Sequence, residues 1–197
     1  LGCVNSIQLF SDDPARGGQI RLLTDVTGMA YGKPWCKSPE GVVYFLSNRG
    51  DIYRISPGTA PVPVSHYKIP RRLRSLNTST SYVELAWDDE FDGIHIMVMR
   101  YATDPSAVPT VQTNYFYHRS TDSFWPMKLG SGADTGRQPT CMMVSDGDTE
   151  ATRKVMIGCE DGRVRLFDRT AKADIGTTTT DFKAISNVLV IGPIAPD

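Results

Sequence analysis

The chain has 197 residues, a formal net charge of −1, 40% hydrophobic residues and 22% charged residues. That balance suits a folded chain with a sizeable core, so disorder is not the default, and the near-neutral charge argues against a strongly basic nucleic-acid binder or an acidic tail protein. Seventeen glycines and thirteen prolines imply many turns, and no stretch approaches the roughly 18 consecutive apolar residues of a membrane-crossing helix.

In chain order, short β-branched and aromatic runs bounded by Gly, Pro, Asn, Asp and Ser predict strands almost throughout. "SIQLF" (6–10) and "QIRLLT" (19–24) form a first pair, and "VYFLSNRGDIYRIS" (43–56) is a hairpin around Gly50. Residues 70–76 are the one piece with helical character, two turns that Asn77 would end. In "GIHIMVMRY" (93–101), Ile94, Ile96 and Val98 alternate with His95, Met97 and Met99. "TNYFYHR" (113–119) and "SFWPM" (123–127) flank a turn near Thr121-Asp122. "TCMMVS" (140–145), "KVMIGC" (154–159), "RVRLFD" (163–168) and the apolar "ISNVLVIGPI" (185–194) follow. The whole is read as one domain over 1–197, a segment of a longer chain because it opens on Leu1.

One element recurs. Aligning Gly50 with Gly162 sets Val43 on Val155, Leu46 on Gly158 and Ile52 on Val164, with "YFYHRSTDSFWPM" (115–127) as a third hairpin between them. Asn48-Arg49-Gly50 and Glu160-Asp161-Gly162 each end in glycine, which enters the left-handed backbone region without a Cβ clash and so closes a tight hairpin. After the second turn, Val164 and Leu166 alternate with Arg163 and Arg165, which predicts a dry face carrying the two apolar residues. Cys159 beside Glu160 and Asp161 is therefore read as the end of a scaffold strand and not as a reactive thiol.

No residue is assigned a catalytic, cofactor-binding or metal-ligating role. His66, His95 and His118 stand apart, without the spacing of a zinc site, and are read as structural or surface histidines. "DDEFDG" (88–93) and "SDGDTE" (145–150) gather carboxylates that calcium would accept, but neither fits the twelve-residue calcium loop, so both are read as polar hairpin tips. The glycine cluster at 130–136 lacks the Lys-Ser/Thr ending of a phosphate loop and is read as a linker. Cys3, Cys36, Cys141 and Cys159 are widely spaced and are read as buried free thiols. Arg71, Arg72 and Arg74, with Tyr67 and Lys68, form one basic patch, read as a solvated connection. Trp35, Trp87 and Trp125 lie at strand ends, where a large aromatic wedges between sheets.

The repeated unit resembles a β-propeller blade: "GCEDGRVRLFDRT" (158–170) is similar to the close of WD-repeat and related blades, without their Gly-His and Trp-Asp dipeptides. More narrowly, "SYVELAWDDEFDGIHIMV" (81–98), "TNYFYHRSTDSFWPMKL" (113–129) and "GCEDGRVRLFDRTAKADIGT" (158–177) together resemble propeller portions of tail structural proteins of tailed bacteriophages. The resemblance implies an all-β, propeller-like array of about four antiparallel sheets, or four blades of a larger propeller. The N-terminal pair would share a sheet with 185–191. It implies a non-enzymatic module of a virion tail, acting on other structural proteins and on copies of itself in a ring, with no membrane or nucleic-acid partner and no cofactor. The alternatives are a cytoplasmic propeller that scaffolds protein complexes, and a propeller hydrolase with a site in its central channel.

Overall fold

The computed structural model describes residues 2–66, 68–69, 73, 76, 81–100, 114–127, 139–145, 147–149, 152–159 and 162–166. Fourteen strands are found there. The first seven are β1 (Ile7–Ser11), β2 (Gln19–Thr24), β3 (Gly32–Lys33), β4 (Trp35–Lys37), β5 (Val43–Leu46), β6 (Ile52–Ile55) and β7 (Val62–Pro63). The rest are β8 (Ser81–Asp88), β9 (Gly93–Arg100), β10 (Asn114–His118), β11 (Ser123–Met127), β12 (Pro139–Ser145), β13 (Lys154–Cys159) and β14 (Val164–Leu166). A single 3-10 turn, Pro14–Arg16, interrupts them, capped by Asp13 through its side chain. The all-β expectation holds among the described residues. The helical piece at 70–76, the glycine linker and the strand at 185–194 lie wholly or mostly outside them.

The strands form four sheets: β1-β2, β4-β5-β6-β7, β11-β10-β9-β8-β3 and β12-β13-β14. All pairings are antiparallel except β3 with β8, where Gly32 and Lys33 run parallel to Val83 and Glu84. The five-stranded sheet is the middle layer of a face-to-face stack. On one side Val83, Leu85 and Trp87 of β8 and Ile94, Ile96 and Val98 of β9 pack on Cys36, Tyr44, Leu46 and Ile52 of the four-stranded sheet. On the other side Ala86, Met97 and Met99 pack on Met142, Val155, Ile157 and Cys159 of the three-stranded sheet. Because both faces of β8 and β9 are covered, both sets of alternating residues in 94–99 are apolar or buried, with His95 only 3% exposed. The stack is not closed into a ring among the described residues.

Several features of the sequence explain these edges and turns. Pro63 in β7 and Pro126 in β11 lie in edge strands, where a missing N–H removes a pairing donor. Gly50 and Gly162 have φ of 81° and 75°, and both turns close the same way. Gly50 N donates to the Ser47 carbonyl and Ser47 N to that of Asp51. Likewise Gly162 N donates to Cys159 and Cys159 N to Arg163. The registers match as well: Leu46 faces Ile52 and Tyr44 faces Arg54, as Gly158 faces Val164 and Met156 faces Leu166.

Two expectations are corrected here. The hairpin of β10 and β11 is not the third counterpart of the other two, because its strands are the third and fourth of a β8-β9-β10-β11 meander, whereas β5-β6 and β13-β14 follow β4 and β12 as second and third strands. Val164 and Leu166 are not on a dry face: they are 68% and 56% exposed, because no described sheet packs on that side of β14.

Candidate functional site

The acidic turn 88–93 joins β8 to β9 and is tied by its side chains to β9, the β10–β11 turn and the start of β13. Asp88 organises it from within. Its Oδ1 accepts the N–H groups of Glu90 (3.0 Å) and Phe91 (3.2 Å), and its Oδ2 lies 2.8 Å from His95 Nε2. Burial works to raise the Asp88 carboxyl, but the His95 contact and the two turn N–H groups outweigh it and hold the group below the usual carboxylate range. Asp92 takes the left-handed backbone at φ 47°, one of the few side chains that tolerates it, and turns the chain into Gly93.

Each remaining carboxylate of the turn meets a cation from another element. Asp92 receives Arg119, with Nη2 at 2.7 Å from Oδ1 and Nε at 3.2 Å from Oδ2, and the Arg119 Nη1 reaches Glu40 Oε2 at 2.8 Å. The guanidinium also lies 5.2 Å from the centre of the Trp87 ring. Partial burial tends to lower the Arg119 pKa, and its hydrogen bonds to Glu40 and Asp92 raise it overall. Asp89 accepts Trp87 Nε1 at 2.6 Å and Arg153 Nη1 at 3.2 Å, and Glu90 pairs with Lys154 at 2.7 Å. Glu40 belongs to the β4–β5 turn, Arg119 to the β10–β11 turn, and Arg153 and Lys154 to the start of β13. The three stacked sheets are thus tied together at one end. Between these groups lies an open cleft of about 240 Å³, lined by Pro39, Glu40, Trp87, Asp89, Asp92 and Arg153.

Such an arrangement locks loops. The carboxylates that a calcium ion would need are engaged by arginine and lysine, and among the described residues no group of three metal-ligating side chains converges. The second acidic loop is described only at Ser145, which ends β12, and at 147–149, where Thr149 hydrogen-bonds Thr152.

A second polar link joins the middle and three-stranded sheets. β12 is an edge strand, and its outward Met142 N–H is taken by Glu84 Oε2 at 2.6 Å, while Tyr82 Oη donates to the Thr140 carbonyl at 2.6 Å. Burial raises the Glu84 pKa, and the Met142 N–H offsets only part of that.

The other sequence candidates are placed as follows. His118 ends β10 with Nδ1 at 2.7 Å from Thr121 Oγ1, and His66 is exposed; neither joins the Asp88–His95 pair. All four cysteines are free, but only Cys36 and Cys159 are buried. Cys141 is exposed and Cys3 half-buried, which corrects the expectation of four buried thiols. Burial pushes the Cys36 thiol far up, so it is inert. Trp87 is the inter-sheet wedge, stacked 5.8 Å from Tyr44, whereas Trp35 is 46% exposed on an outer face. Arg71, Arg72 and Arg74 lie outside the described residues, as do Glu160 and Asp161. Sequence reading found the acidic turn but missed Glu40, Arg119, Arg153 and Lys154. Their partners are distant in the chain, and no local spacing announces them.

Comparison with known protein families, with curated proteins and with solved structures gives no match.

Proposed function

We propose that this chain is a non-enzymatic structural and interaction module, built as consecutive blades of a propeller and working in the tail of a tailed phage through protein–protein contacts. The observation that carries the reading is the use made of the charged groups. Asp88, Asp89, Glu90 and Asp92 are committed to His95, Arg153, Lys154 and Arg119, and Arg119 also holds Glu40 of the four-stranded sheet, so that three sheets are fastened at one end. An acid–base site keeps a carboxylate poised for substrate; here each one holds a neighbouring element. The resemblance of 81–98, 113–129 and 158–177 to phage tail propellers supplies the setting, and a rigid stack of sheets suits the display of loops to other subunits.

The test is fractionation of phage particles from cells that encode the chain. Under this reading the chain co-purifies with intact virions at a fixed stoichiometry and is released only by dissociating the tail. Virions that lack it, with the chain recovered in the soluble cell fraction on cellular proteins, would overturn the virion assignment in favour of a cellular scaffold.

A further inference from the structure

β8 carries two alternating sets of side chains. Val83, Leu85 and Trp87 pack on the four-stranded sheet, and Tyr82, Glu84, Ala86 and Asp88 lie on the side of the three-stranded sheet. Ala86 belongs to the core there, and Asp88 organises the acidic turn. Glu84 is the member that apolar packing does not explain. It is 9% exposed on the central sheet, where a carboxylate is costly to hold without hydrogen bonds. Its partner, the Met142 N–H, shows what it is used for.

Met142 stands opposite Ile157 of β13, yet its N–H donates to Glu84 Oε2 at 2.6 Å and not to β13. By the alternation of an antiparallel pair, Met142 and Val144 therefore turn their backbone groups outward, while Cys141 and Met143 turn theirs to β13. The Thr140 carbonyl is taken by the same strand as Met142, accepting Tyr82 Oη of β8 at 2.6 Å. Side chains two residues apart on β8 thus cover backbone groups two residues apart on β12, one a donor and one an acceptor. Pro139, which has no N–H, and a slip in register between Pro139 and Cys141 blunt the start of the strand. Other edges are protected by proline alone, Pro63 in β7 and Pro126 in β11. β12 carries no charged residue from Pro139 to Ser145, and Met143 is 54% exposed; such a strand pairs readily with its like once its edge is bare.

We propose that Tyr82 and Glu84 are a clasp that closes the β12 edge to strand addition, and that the strand they exclude is β12 of a second copy. An incoming strand has to displace Glu84 to reach the Met142 N–H, and it meets the Tyr82 side chain at the Thr140 carbonyl. Antiparallel pairing of two β12 strands about a twofold axis is the contact that loss of the clasp admits, because it joins two bare, uncharged edges and needs no other change of fold. What the edge requires of position 84 is an acceptor, so an amide serves there as well as a carboxylate. The clasp acts in the isolated chain and does not depend on where the module works.

Sedimentation velocity of the full chain from micromolar to near-millimolar concentration tests it, with the unfolding midpoint of each variant measured alongside. The wild type and Glu84→Gln, whose amide oxygen still accepts the Met142 N–H, should sediment as monomers throughout. Tyr82→Phe combined with Glu84→Met, which keeps similar shapes without the two hydrogen bonds, should shift to twice the monomer mass as concentration rises. Adding Met143→Lys to that pair should return it to the monomer, because like charges then meet across the joined edges. Asp88→Asn, destabilised at a site away from β12, distinguishes an open edge from a mere loss of stability and should stay monomeric. Where the double variant does not fold, Tyr82→Phe alone, which removes one oxygen, carries the test and should dimerise at the upper end of the range. A folded Y82F/E84M that stays monomeric, dimerisation of the wild type, E84Q or D88N to the same extent, or a dimer that M143K leaves intact would each overturn the proposal. A monomeric Y82F does so where the double variant is unfolded.

Discussion

Asp88 and His95 sit seven residues apart on paired strands, yet their contact is a property of the packed sheet more than of the turn. His95 is 3% and Asp88 6% exposed, so their contact is made largely out of water. Removing one partner strips the other of a hydrogen bond in a buried setting, which is more damaging than losing the pair. Asp88→Asn should lower stability at pH 7 by about 1–3 kcal/mol, read as a shift in urea midpoint at constant slope. The pH dependence follows from the depressed folded value. The unfolded chain takes up this proton first as pH falls, so the stabilisation is whole above the ordinary carboxylate range near about 4 and is lost as pH drops through the lower folded value. In D88N that part of the acid loss should vanish; an unchanged acid profile would show that Asp88 carries no such linkage.

At the scale of strands and turns, two glycines in hairpins separate conformational cost from steric cost. A Cβ added at Gly162 meets nothing within 4 Å, and only its φ of 75° opposes substitution, so Gly162→Ala should cost about 1 kcal/mol. A Cβ at Gly93 would lie 2.3 Å from Phe116 Cζ and 2.4 Å from the Tyr117 carbonyl oxygen, because β9 and β10 approach there without room for a side chain. Gly93→Ala should therefore cost about 3 kcal/mol or more, measured by the same denaturation. Glu84 gives the opposite prediction. Its folded value is raised, so stability is fullest below the ordinary carboxylate range and declines as pH rises through the raised value. Glu84→Gln keeps an acceptor for the Met142 N–H without the buried charge. It should stay within about 1 kcal/mol of wild type at pH 7 and remove that decline; a larger loss at pH 7 would mean that the charge itself is needed.

The strands themselves were legible because β-branched and aromatic runs with Gly, Pro and Asp punctuation carry local information: β1, β2, β10, β11 and β13 fall within a residue or two of the sequence reading. The shared turn was legible for the same reason, since Gly50 and Gly162 mark it by residue type. What alternation could not tell was which face of each strand finds a neighbour. Val164 and Leu166 have the pattern of buried residues and are exposed, while Arg165 shares the face of Ile157. Nor could it show that Arg119 would sit between Glu40 and Asp92, because that contact joins three turns that only the stacking of sheets brings together.

On the scale of the whole described molecule, the account reduces to three sheets in layers with the β8–β9 pair at the centre. Leu85, Ile94, Ile96, Met97 and Met99 are each no more than 2% exposed, and they divide between two cores, one on either side of a single sheet. Both outer layers depend on this sheet for burial. Hydrogen exchange resolved by strand measures that order directly, since amides in the central layer open only with global unfolding while edges open locally. β8 and β9 should exchange slowest and at rates set by the global stability, with β14 and the β1–β2 ribbon fastest. Exchange in β9 as fast as in β14 would contradict a structure in which the five-stranded sheet lies between the other two.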